Sequence, residues 1–237
     1  MKRSIDVCLS PDLMHLYQVR DQTVVVVDIL RATSCMTTAF AHDIHSITPF
    51  AGLPECLALK EHGYLTAGER DGKKVEGFDL GNSPFEYMNP VLKGRKIAFT
   101  TTNGTQAIAR SKGARDIVIA SFLNLSAVVS YLRSVPNNVL IVCSGWKGKV
   151  NLEDTVFAGA LVENLKKDFE FACDAPMIAQ RLYVEARADL KEFLKDSSHI
   201  KRLRRLNIEK DIEFCLTEDQ YDVVPLIRDN TIMLLKP

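Results

Sequence analysis

Residues 24–40, VVVVDILRATSCMTTAF, decide the architecture. Four consecutive valines without polar alternation read as a strand buried on both faces, as in a parallel sheet covered by helices. Asp28 ends the run, a short turn carries Arg31, and a helical pattern opens with Thr33 and Ser34. The same rhythm extends outward. Strand-like runs at 5–9, 23–30, 46–50, 64–67, 96–100, 116–120 and 138–143 alternate with helical candidates at 32–42, 54–62, 104–112 and 125–135. Such alternation predicts an α/β fold, a three-layer α/β/α arrangement with a mostly parallel or mixed sheet.

Two regions depart from the rhythm. Residues 68–94 are rich in Gly, Asp, Asn and Pro and too long for a simple connection; long irregular segments inside compact domains are usually functional or disordered. Val75, Phe78, Leu80 and Phe85 are expected to anchor this one. Beyond residue 150 the pattern turns helical, with helices expected at 152–169, 175–196 and 198–206. Two short strands around a turn at 228–230 are expected to follow. Residues 1–237 read as a single domain with a helix-rich last third.

The chain carries 30 basic and 30 acidic side chains, a formal net charge of zero. A nucleic-acid binder acting through broad phosphate neutralisation would show a basic excess, so none is expected. The longest apolar run, 139–143, is far short of the roughly 18 residues of a membrane span, and no apolar run follows the basic start MKRS. Six cysteines lie scattered without CxxC spacing, which suits reduced, buried thiols in a cytoplasmic protein. A homodimer is the default expectation for the assembly.

In open α/β sheets, ligands bind beyond the carboxyl ends of the strands. Three junctions qualify. At 24–34, Asp28 is placed to hold Mg²⁺, a hard cation that takes oxygen ligands. Arg31 can fork onto phosphate oxygens, and the helix start offers N–H groups to an anion. At 99–108, FTTTNGTQAI gathers Thr101, Thr102, Asn103, Gly104 and Thr105 in one loop. Hydroxyls, an amide and permissive backbone suit a phosphate cradle, although a polar helix cap would look the same. At 142–160, VCSGWKGKVNLEDTVFAGA, the strand yields to a glycine loop and then to Glu153 and Asp154 in a first helical turn. Acids there also suit the helix dipole alone. Together the junctions supply carboxylates, an arginine and hydroxyl donors, the equipment of phosphoryl transfer. The expected roles are Asp28 and Asp154 on Mg²⁺, Glu153 as a further ligand or base, and Arg31 on the phosphate of a small phosphorylated anion. Attack by metal-activated water and attack by Asp28 through an acyl phosphate both fit.

Other signatures are missing. There is no GxxxxGK[ST] and no GxGxxG after the first strand. The DxD of haloacid-dehalogenase phosphatases is not met, because Leu30 stands where the second acid would be. A non-catalytic anion binder would use the same donors, but acids beside the anion would repel it. His15, His42, His45, His62 and His199 lie outside the junctions and read as surface or satisfied core. The basic run 199–205 reads as a solvated helix face.

The three junctions, with AGERDGKKVEGFDLGNSP at 67–84, resemble the 2-phosphosulfolactate phosphatase family. The resemblance covers residues 24–162 most clearly and extends over the chain. It implies an α/β/α fold and Mg²⁺-dependent hydrolysis of (2R)-2-phospho-3-sulfolactate to (2R)-3-sulfolactate and phosphate, in some organisms a step towards coenzyme M. It also implies that Glu69 serves the metal and that Arg70, Asn82, Ser83 and Ser144 bind substrate alongside residues 101–105. The sequence departs from the family at Trp146, where a small residue is usual; the indole is expected to pack beneath its loop.

Overall fold

The computed structural model describes residues 2–235. In chain order its strands are β1 (Ser4–Cys8), β2 (Thr23–Val27), β3 (Ser46–Pro49), β4 (Leu65–Arg70), β5 (Lys73–Lys74), β6 (Lys96–Thr100), β7 (Asp116–Ala120), β8 (Val139–Cys143), β9 (Glu170–Phe171), β10 (Pro225–Arg228) and β11 (Thr231–Leu234). Its α-helices are α1 (Ala32–Ala41), α2 (Leu53–Ala58), α3 (Gly104–Arg110), α4 (Leu125–Ser134), α5 (Leu152–Leu165), α6 (Asp174–Ala186), α7 (Leu190–Leu194), α8 (Ser198–Arg204) and α9 (Glu209–Cys215). The strands form one mixed sheet in the order β5-β4-β6-β3-β11-β10-β7-β2-β8-β1-β9.

The valine strand is central, paired in parallel with β7 and β8, and wholly buried as its pattern predicts. Alternate valines serve the two faces. Val25 and Val27 pack with Phe157 and Leu161 of α5 and with Val128 of α4, whereas Val24 and Val26 pack with Met36 and Phe40 of α1. Each buried valine stabilises the fold by about 1.5–3 kcal/mol relative to an exposed one. Helices α5 and α6 pack closely because Gly159 has no side chain. A Cβ there would stand 1.9 Å from the carbonyl oxygen of Ala179.

The sheet has two parallel blocks, β4-β6-β3 and β7-β2-β8-β1-β9. The β10–β11 hairpin sits between them and pairs antiparallel with both neighbours, so the blocks run in opposite senses. Asp229 and Asn230 at its tip both adopt positive φ, which suits a two-residue hairpin turn. Helix α1, whose residues 32–40 are all buried, packs against strands of both blocks. The carboxyl end of β6 lies beside the carboxyl end of β2, Gly104 against Asp28, although the strands belong to opposed blocks.

Several expectations are corrected. The helix expected at 175–196 breaks into α6 and α7, because Asp189 turns its carboxylate onto the N–H of Glu192 at 2.9 Å and caps a new helix. The helix expected at 152–169 ends at Leu165. In the irregular segment Phe78 and Leu80 are buried, but Phe85 is 43% exposed against Phe214. Tyr87, fully buried with its hydroxyl donating to Gly81 O, is the anchor instead. Cys8, Cys35, Cys56, Cys143 and Cys215 are free, buried thiols, and Cys173 is free and exposed. Among the described residues no helix is long and apolar enough to cross a membrane.

Candidate active site

The junction after β2 is built by its own side chains. The N–H of Asp28 donates to Thr33 Oγ1, and the Thr33 hydroxyl and N–H both return to Asp28 O, at 2.9 and 3.0 Å. Ser34 donates to Ile29 O at 2.8 Å. The N–H of Ala32 points to Asp28 Oδ1 at 3.3 Å. The start of α1, expected to receive an anion from solution, is therefore closed by Asp28 itself. The other oxygen, Oδ2, lies against Gly104 at the start of α3, where a Cβ would stand 2.8 Å from it. Burial raises the Asp28 carboxyl to about 6, against the countering pull of His199 and the Ala32 N–H.

Asp28, Arg31, Glu69, Asn82, Thr102 and Asn103 line one narrow cleft. Residues outside the expected set join them, among them Trp146, and His199 and Arg202 from α8. A roomier hollow of about 680 Å³ lies between α3, β3 and the β10–β11 turn, but its walls are largely apolar, among them Phe50, Ile108, Ile117 and Ile227. Chemistry favours the narrow cleft.

The acids have distinct surroundings. Asp154 is buried at the start of α5 and accepts from Ile29 N–H at 2.9 Å and Gly145 N–H at 3.0 Å, one oxygen each. It therefore ties the ends of β2 and β8 together. Burial, with the charges of Glu153 and Asp28, raises its carboxyl well above the usual range. Glu69 is likewise doubly engaged, accepting from Gly72 N–H at 2.6 Å and Thr102 N–H at 2.9 Å. The metal set expected from Asp28, Glu69 and Asp154 is not assembled. Among the described residues no three His, Cys, Asp or Glu side chains gather closely enough to hold an ion. Two of those acids brace backbone instead. Glu153 is fully buried. One of its oxygens meets His199 Nδ1, and the other has no partner.

The arginines also differ from expectation. Arg31 is buried in an ion pair with Asp211 and donates to Gly72 O at 3.1 Å. Ser83 donates to the second oxygen of Asp211 at 2.9 Å, which places it in that pair and in a neighbouring hollow. Arg70 follows Glu69 on a strand, so it faces the opposite way. It donates to Glu69 O and Thr100 Oγ1 and does not line the cleft. Thr101 and Thr105 are buried and bonded to each other, closing the first turn of α3 rather than cradling a ligand. Asn103 accepts from Lys147 N–H at 3.2 Å.

Buried polar atoms normally find partners, and each that does not asks for a reason. The buried side-chain atoms without one are Asn82 Oδ1, Thr102 Oγ1, Ser144 Oγ and Glu153 Oε2. All belong to the three junctions and the 67–84 segment. Together with Asp28 Oδ2 they form an oxygen-rich set of the kind a hard divalent cation and a phosphate ester satisfy.

Sequence reasoning missed His199, Arg202 and Asp211. His199 is 6% exposed and held by Glu153, not at the surface. The expected solvated helix face of 199–205 instead turns His199, Arg202 and Leu203 to the cleft. Trp146, expected beneath its loop, stands at the cleft wall with the Arg202 guanidinium 3.8 Å from its ring centroid. The one available signal was the mixture of apolar and basic residues in 199–205, which fits a half-buried helix as well as a solvated one.

Comparison with known proteins gives a consistent picture. The family model described as 2-phosphosulpholactate phosphatase matches residues 8–230. A protein of Thermotoga petrophila named "Probable 2-phosphosulfolactate phosphatase" is 42% identical over 97% of this chain and 98% of its own length. Proteins of the same name from Caldanaerobacter subterraneus and from a Synechocystis strain are 38% and 39% identical. The first match covers 90% of both chains, the second 85% of this chain and 87% of the relative.

Proposed function

The chain belongs to the 2-phosphosulfolactate phosphatase family, and from that premise we propose that its cleft hydrolyses (2R)-2-phospho-3-sulfolactate to (2R)-3-sulfolactate and phosphate with the help of Mg²⁺. The observation that carries the proposal is a group of partnerless buried oxygens about Asp28: those of Asn82 and Thr102 line the cleft with it, Glu153 acts on it through space, and Ser144 is bonded to Val27 next to it. Protein alone leaves them unsatisfied; a cation and a phosphate ester would satisfy them.

Glu153 has an oxygen to spare, and with Asn82 Oδ1 and Thr102 Oγ1 it would hold Mg²⁺. Few carboxylates suffice, because Mg²⁺ commonly keeps waters and takes substrate phosphate oxygens. When bound, the ion offsets charge building on the phosphoryl oxygens.

The protein's own groups do the rest. Asp28, ionised at neutral pH with a carboxyl raised to about 6, is matched to take the proton of an attacking water as the P–O bond to the 2-hydroxy acid breaks. Glu153 fixes the His199 ring through Nδ1, leaving Nε2 to protonate the departing alkoxide. Asp154 and Glu69 hold the three loops in register by their paired backbone acceptors. Exclusion of water by Leu203 and Trp146 at the cleft wall strengthens each of these interactions.

The test is phosphate release from 2-phosphosulfolactate, phospholactate and phosphoglycerate, with EDTA and with Mg²⁺ restored. Release from the first that EDTA abolishes is expected, with a loss of at least about 10²-fold in Asp28→Asn. Full activity in Asp28→Asn would sink the assignment. A stable phosphoryl group trapped on Asp28 would replace water by Asp28 as the attacking group.

A further inference from the structure

We infer that Arg202, laid on the indole of Trp146, is the seat for the substrate's non-reacting anion, a carboxylate or sulfonate, and so sets which phosphate esters the cleft accepts. The inference rests on the preceding reading of the cleft as a phosphatase site and adds a residue that reading leaves without a role.

Three observations carry it. First, Arg202 is the cleft arginine with its donors free. Arg31 is held by Asp211 and Gly72 O, and Arg70 is turned to Thr100, whereas the Arg202 side chain makes no hydrogen bond or ion pair among the described residues. A half-buried guanidinium with five N–H donors and no acceptor is incomplete. Second, Arg202 is held in place. Its Cζ lies 3.8 Å from the Trp146 ring centroid, and Lys147 Nζ lies 4.8 Å from the same ring. Stacking fixes the plane of the guanidinium, so its fork faces a ligand at little further entropic cost. Third, the cleft is acidic. Glu153, Glu69 and Asp71 act on Arg202 through space, and Asp28 lines the same walls. A substrate carrying a phosphate and a further anion needs a compensating cation there, and Arg202 supplies it.

The geometry also separates the two ends of the substrate. Asp28 and Gly104 meet where β2 ends and α3 begins, with Thr102 beside them in the cleft lining, whereas Arg202 reaches the cleft from α8. A small acid would place its ester phosphate at the first and its free anion at the second.

The experiment compares kcat/KM on 2-phosphosulfolactate, phospholactate and 2-propyl phosphate, which carry two, one and no further anions. In Arg202→Met the ratio of phosphosulfolactate to propyl phosphate is expected to fall by about 10- to 100-fold, chiefly through KM, the range of a charge-assisted hydrogen bond. If the phospholactate ratio falls equally, the seat takes the carboxylate; if it holds, the seat takes the sulfonate. Arg202→Lys is expected to restore only part of the loss, because an ammonium neither forks nor stacks. An unchanged ratio, whether or not the variant melts earlier, overturns the inference.

A second arm needs no turnover. Trp146 is the only tryptophan of the chain, so its emission reports on its neighbour. Titration of the whole protein with 3-sulfolactate is expected to change that emission to saturation, with Kd about 10- to 100-fold weaker in Arg202→Met. Equal Kd in both proteins, or an unresponsive indole, overturns the inference. Should the wild-type protein release phosphate from none of the three esters, the phosphatase reading falls, and the emission titration alone decides the anion seat.

Discussion

Asp28 occupies the space that Gly104 leaves by having no side chain: a Cβ on Gly104 would lie 2.8 Å from Asp28 Oδ2 and 2.9 Å from the Ala32 methyl. Gly104 opens α3 with an ordinary helical backbone, so alanine is conformationally welcome. The added methyl must displace the carboxylate. Gly104→Ala is expected to cost about 1–3 kcal/mol from overpacking and about 10²-fold in kcat, as misplacement of a reacting group by about 1 Å does. Steady-state kinetics beside urea unfolding checks both; undiminished kcat would show that the position of Asp28 is not used.

The second prediction concerns Glu153 and His199, buried together at 0% and 6% exposure. His199→Ala leaves Glu153 with no partner on either oxygen, which is expected to cost about 3–5 kcal/mol. Glu153→Gln removes the charge and is expected to cost less. The double variant Glu153→Gln/His199→Ala should be more stable than the sum of the singles implies, since no charge is stranded. A double-mutant cycle in urea measures this coupling, and simple additivity would contradict the pairing.

Asp154 yields a third prediction. Asparagine keeps one acceptor but turns an NH₂ toward a backbone donor, so either Ile29 or Gly145 loses its partner. Asp154→Asn is expected to lose about 1–3 kcal/mol. Amide hydrogen exchange at Ile29 and Gly145 should quicken more than at the centre of β2. Uniform exchange across β2 would argue against a local clamp.

The fourth prediction is a pH dependence. Asp28 rises from an ordinary 3.8 to about 6 on folding, and Asp154 is raised as well. Between those values the folded protein holds more protons than the unfolded chain, so stability falls as pH rises. For Asp28 alone the full effect above pH 6 is on the order of 3 kcal/mol. Asp79 and Glu163 are shifted downward by Lys60, Thr66, Lys166 and Gln180, and their stabilisation is lost only on going more acidic. Melting temperatures in EDTA are therefore expected to drop from pH 4.5 to 7 and to recover with Mg²⁺, which favours the ionised acids. Asp28→Asn should make the slope below pH 6 shallower and leave the part due to Asp154. A slope unchanged in that variant would remove Asp28 from the account.

The β2–α1 junction was legible because its logic is local. Four valines, an acid and a helix start specify strand, turn and helix whatever else the chain does, and Gly104 beside Thr102 repeats that signal after β6. Period-two alternation likewise parts Arg70 from Glu69, since neighbours on a strand face opposite ways. Other features depend on distant partners. Arg31 pairs with Asp211, 180 positions away, and Glu153 with His199, 46 away. Pattern assigns 198–206 to a helix but does not say which neighbour receives its faces. Likewise the hairpin at 225–234 was readable as two strands, while its place between β3 and β7 rests on long-range pairing.

That hairpin acts as a keystone. Asp28, Ser144, Glu153 and Asp154 come from one parallel block; Glu69, Asn82, Thr102 and Gly104 come from the other, and β10–β11 joins the two. The catalytic groups of the two blocks face each other across this seam, so their alignment depends on residues 225–234. A lesion at the hairpin is therefore expected to silence chemistry performed by residues it never touches.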